Sequence, residues 1–96
     1  MIKVIVKDNI IKVSGHAKFD DYGKDIVCAS VSSIIYTTVN GILNINRDAI
    51  EVIDNNDFII TVKNNTLVTQ KLIETMMELL KDLEKQYPKN INVKEN

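Results

Sequence analysis

Ile2, Val4 and Val6 alternate with Lys3, Ile5 and Lys7, the period-two pattern of a strand with one face toward a core. Asp8-Asn9 supplies turn chemistry and Ile10 to Val13 resumes an apolar run, so the chain opens on a β-hairpin. From Ser14 to Lys24 the periodicity stops, and Gly15, Gly23 and the acidic pair Asp20-Asp21 mark a loop. Structureless stretches of this length in so short a chain are commonly functional or disordered. This one carries the only histidine, His16, and leads to the only cysteine, Cys28.

No charged residue lies between Ile26 and Asn46, a length that could cross a bilayer. Ser30, Ser32, Ser33, Thr37, Thr38, Asn40, Asn44 and Asn46 would be costly in hydrocarbon, so the segment predicts a helix buried inside protein and no membrane span. Its β-branched residues favour strand locally; length, and Asp25 placed to cap the first N–H groups, favour a helix to about Leu43. Ile50 to Ile53 and Phe58 to Val62 predict a second hairpin across the turn formers Asp54 to Asp57. Leu72, Met76, Leu79, Leu80, Leu83 and Tyr87 then recur at helical spacing, with Lys71, Glu74, Glu78, Lys81, Asp82 and Lys85 on the other face. Pro88 stops this helix, and Ile91 to Val93 predicts a short last strand. The order β-β-α-β-β-α-(β) predicts an α+β sandwich: one mostly antiparallel sheet carrying two helices.

Composition narrows the function classes. A chain of 96 residues that is 45% hydrophobic fits one domain over residues 1–96, burying roughly two thirds of its unfolded surface. Twelve basic and thirteen acidic side chains leave a net charge of -1, without the positive field that draws a protein to a phosphate backbone, so direct nucleic-acid binding is not expected. A single thiol forms no internal disulfide and suggests neither a secreted scaffold nor a zinc site, which points to a reducing cytoplasm. MIKVIVKD has no signal-peptide pattern, so the mature chain is expected to start near Met1. No metal site or cofactor is expected; Met76 and Met77 fit core spacing.

The reactive side chains concentrate from Gly15 to Ser32. With Asp25 as cap, Cys28 falls in the first helical turn, where unpaired N–H groups and the positive dipole end favour a thiolate. The N–H groups of Cys28 and Ala29 could donate to an oxyanion, although the Asp25 carboxylate competes for such donors and opposes a nearby thiolate. The loop permits His16 to return beside the helix start, take the thiol proton and later protonate a leaving amine. Ser32, four residues beyond Cys28, shares its helical face and could support thiolate or substrate, or bond back to the Cys28 carbonyl. Composition alone favours a packed cysteine and a capping aspartate over catalytic ones. These residues by themselves lead no further than a thiol-dependent hydrolase.

Gly15-His16-Ala17, Gly23, Asp25-Ile26-Val27-Cys28-Ala29, Val31-Ser32 and Asn40 together resemble the signature of the ribosomal-processing cysteine protease family, and chain length and element order suit that family over nearly the whole sequence. Ser30 departs from the small, alanine-like residue common after the Cys-Ala pair, and the first hairpin is short. The resemblance implies a catalytic dyad of Cys28 as nucleophile and His16 as general base, with Asp25 and Ser32 at the remaining polar positions of the motif. It implies limited endopeptidase activity on the apolar N-terminal extension of a large-subunit ribosomal protein, and homodimers. Phe19 and Tyr22 are then expected to hold the leader over Cys28, with Gly15 and Gly23 letting the segment close as a lid. Two rivals stand: a non-catalytic ribosome-associated binding module in which Cys28 is only packed, and a thiol-based acyl hydrolase acting on small esters.

Overall fold

The opening hairpin forms where its pattern places it, with β1 (Ile2–Lys7) and β2 (Ile10–Ser14) antiparallel and Lys7 opposite Ile10. That register leaves Asp8 and Asn9 as a two-residue turn. Asp8 adopts a φ of 55°, a left-handed conformation that aspartate tolerates better than most residues. The computed structural model describes residues 1–15 and 26–96. Beyond the loop come α1 (Ile26–Ile45), β3 (Ile50–Asp54), β4 (Phe58–Val62), α2 (Leu67–Gln86) and β5 (Ile91–Glu95).

The five strands form one sheet in the order β3-β4-β2-β1-β5, antiparallel throughout except for the parallel pair β1·β5. This is the expected α+β architecture with a mixed, mostly antiparallel sheet. Val6 stands opposite Ile11, and Ile11 opposite Ile60, so the alternation carried by each strand puts the apolar residues of neighbours on one face. Ile2, Val4, Ile11, Ile60 and Ile91 are buried there, while Lys3, Lys7, Lys12 and Glu51 remain exposed. Each such fully buried aliphatic side chain contributes on the order of 2 kcal/mol relative to an exposed one.

Both helices contribute to the same core. From α1 come Val27, Val31, Ile35, Val39 and Ile42, and from α2 Met76, Met77, Leu80 and Leu83. The expectation that α1 lies buried inside protein needs correction, because only this stripe is covered. Ile26, Tyr36 and Ile45 are 49%, 44% and 63% exposed, as are Ser32, Ser33, Thr37, Asn40 and Asn44 in good part. A helix lying on one side of a single sheet has protein against one flank and outside against the other, and the hydroxyls and amides occupy the outer flank. Among the described residues α1 is still the one helix long and apolar enough to cross a membrane by length and composition.

α2 begins at Thr66, whose side chain accepts from the Thr69 N–H at 3.3 Å, one of the four first-turn donors that lack intrahelical partners. Near its other end Glu84 reaches β5: its Oε2 accepts the Val93 N–H at 2.8 Å and the Asn92 side-chain amide at 3.4 Å.

Candidate active site

Cys28 lies in the first turn of α1, since that helix starts at Ile26. It is half-buried, packs against the core and is not disulfide-bonded. No acidic residue stands among the described residues of the first turn of α1. Two residues beyond Cys28, Ser30 donates its hydroxyl to the Ile26 carbonyl at 2.6 Å, so this serine is satisfied within the helix.

Three elements meet along the face that Cys28 begins. Ser32 and Tyr36 follow it at successive helical turns and, with Val31 and Ile35, form one wall of a cleft of about 180 Å³. Val13, Ser14 and Gly15 at the end of β2 form the second wall, and Asp54, Asn56 and Phe58 of the β3–β4 hairpin close the far end. Gly15 is required by geometry. Its φ is 83°, and a Cβ there would overlap the Met1 carbonyl oxygen.

Tyr36 organises the far end. Its hydroxyl donates to Asp54 Oδ2 at 2.7 Å, and its ring meets Phe58 edge-on, with centroids 5.3 Å apart and planes at 76°. The Asp54 carboxylate holds the phenol pKa above its usual value, first by accepting that hydrogen bond, then through desolvation and the nearby negative charge.

Of the residues singled out from sequence, Gly15 and Ser32 line this cleft and Cys28 sits one turn before Ser32. Ala29 opens elsewhere, onto a broader groove between α1 and α2 that Ser33, Ile34, Leu79 and Asp82 also line. His16, Phe19, Tyr22, Gly23 and Asp25 lie outside the described residues. Sequence reasoning passed over Tyr36, Asp54 and Phe58. The signal for Tyr36 was present, as an aromatic residue eight positions beyond Cys28 on the same face; Asp54 and Phe58 carried only turn and strand signals.

A family model described as cysteine protease Prp matches residues 1–92. The ribosomal processing cysteine protease Prp of Staphylococcus aureus is 34% identical over 85 residues, covering 84% of this chain and 80% of the relative. A solved structure of the essential ribosomal processing protease Prp from S. aureus with a covalently linked product peptide superposes with a TM-score of 0.86 at 27% identity, covering 99% of this chain and 97% of that one. A second, with a substrate peptide, gives 0.80 at 26% identity with the same coverage.

Proposed function

We propose, since this chain belongs to the cysteine protease Prp family, that it is an endopeptidase with Cys28 as nucleophile and His16 as general base, cleaving the N-terminal extension from a large-subunit ribosomal protein. The observation that carries the reading is the position of the only cysteine in the first turn of α1, one turn before the cleft residue Ser32, in a fold that matches relatives holding peptides.

In the proposed reaction the imidazole of His16 takes the thiol proton and the Cys28 sulfur attacks the scissile carbonyl carbon. The oxyanion is held by N–H groups at the start of α1, those of Cys28 and Ala29 among them. Collapse breaks the C–N bond, the imidazolium returns its proton to the leaving amine, and water then hydrolyses the thioester. Asp25 serves as the cap of α1, Ser32 donates to the bound peptide, and Phe19 and Tyr22 hold the apolar leader, with Gly15 and Gly23 letting their segment close over it. Cytoplasmic location and homodimer formation belong to the same proposal, the latter tested by sedimentation.

Incubation with the leader-bearing ribosomal protein, followed by mass analysis, tests the reading. One cut that removes the extension is expected, lost in Cys28→Ala and reduced at least about a hundredfold in His16→Ala. Intact protein after prolonged incubation would favour the binding-module alternative. Turnover of small esters with no cut in the protein would favour the acyl hydrolase.

A further inference from the structure

Ser32 and Tyr36 line the cleft one and two helical turns beyond Cys28, so the cleft lies along α1 on the C-terminal side of the thiol. Eight residues at about 1.5 Å each separate Cys28 from Tyr36 by roughly 12 Å. An extended peptide rises about 3.3 Å per residue, so Tyr36 meets a substrate roughly three to four residues from the bond held at Cys28. The cleft there is floored by Val31, Ile35 and Phe58, and its volume of about 180 Å³ is close to the roughly 150 Å³ that accepts a benzene ring. That is room for one large side chain. At its far end the Tyr36 hydroxyl is held on Asp54 and the Tyr36 ring lies edge-on against Phe58, which fixes that wall and sets its reach.

We infer that the Tyr36–Asp54 pair closes a specificity subsite for one large apolar side chain, of leucine to phenylalanine size, about three to four residues from the scissile bond. The inference rests on reading Cys28 as the nucleophile. Asp54 adds a second selectivity, since a carboxylate at the rim disfavours an acidic residue at that position. The phenol keeps its proton at neutral pH, so the wall stays closed under working conditions.

The test uses the full chain and synthetic peptides spanning the leader junction, with each residue within five positions of the cut replaced in turn by glycine or aspartate. Glycine at the third or fourth position is expected to raise KM roughly tenfold with kcat changed less than about twofold, and aspartate to raise it further. Tyr36→Ala should raise KM by a similar factor for the natural peptide and have no further effect on the glycine peptide. Tyr36→Phe, which retains the ring, should recover most of the difference, and Asp54→Asn, which retains an acceptor, should relax only the discrimination against aspartate. Equal KM changes for natural and glycine peptides, or a loss confined to kcat, would overturn the subsite. Peptide affinity of the Cys28→Ala protein, followed by fluorescence anisotropy, keeps the two readings separate. Cleavage surviving in Cys28→Ala sinks the nucleophile, whereas a Tyr36→Ala change that leaves this affinity unaltered sinks the subsite alone.

Discussion

The Tyr36 hydroxyl and Asp54 Oδ2, 2.7 Å apart and 18 residues apart in sequence, join the middle of α1 to the last residue of β3. The bond needs the phenol proton. Because the folded-state pKa lies above the ordinary value of 10.0, the unfolded chain loses this proton at lower pH than the folded one. The stabilisation is therefore fully present below pH 10 and is lost as pH rises through the folded pKa. Absorbance of the tyrosinate in wild type minus Tyr36→Phe should show a transition displaced upward from 10, and the melting temperatures of the two proteins should converge at high pH. A transition at or below 10 contradicts the bond.

Native Cys28 should react with iodoacetamide well below the pH at which an ordinary thiol does, because a first-turn position and an imidazolium partner both favour the thiolate. His16→Ala should abolish the low-pH reactivity while leaving the melting temperature nearly unchanged. A thiol inert in the folded protein and reactive only on unfolding would mark Cys28 as packing.

Gly15→Ala should destabilise the chain by more than about 1 kcal/mol, the cost of a left-handed backbone at a residue with a Cβ, before the overlap with the Met1 carbonyl is added. Urea denaturation measures it. A shift within about 0.5 kcal/mol, the range of an ordinary surface change, would show that the β2 end and the N-terminus separate without penalty.

Met76 is fully buried between the helices and the sheet, whereas Leu79, three residues on, is 45% exposed. Met76→Ala is expected to cost about 2–5 kcal/mol and Leu79→Ala less than about 1. In melting temperature the first corresponds to a fall of at least about 8 °C for a chain of this size. Comparable effects at the two positions would mean that α2 is rotated about its axis relative to the sheet.

The elements that announce themselves by local pattern are the ones the sequence makes legible. α2 shows its apolar spacing directly, and the hairpins show strand alternation interrupted by Asp8-Asn9 and by Asp54 to Asp57. α1 is legible against its own β-branched composition because an uncharged run of that length fits no strand. The parallel pairing of β5 with β1 is not legible. It joins residues near opposite ends of the chain, and nothing in Ile91–Glu95 records its partner. The cleft divides the same way. Cys28 and Ser32 share a face by spacing alone, but the Tyr36–Asp54 contact depends on how α1 lies over the β3–β4 hairpin, which only the packed core determines. Gly15 reads in sequence as a loop residue; the carbonyl of Met1 that forbids anything larger is visible only once the hairpin is folded.

The Glu84 carboxylate on the Val93 N–H has a consequence for how this protein coexists with its own copies. β5 has a neighbour on one side only, and an outermost strand presents unpaired donors and acceptors on which another chain can template itself. Glu84 occupies one of those donors from within the molecule, and the ion pair of Lys81 with Glu95 at 3.1 Å places charge further along the same strand. A stray strand arriving there would have to displace a carboxylate and intrude between paired charges. The last helix thus acts as a guard rail for the last strand, discouraging fibrous stacking at that border.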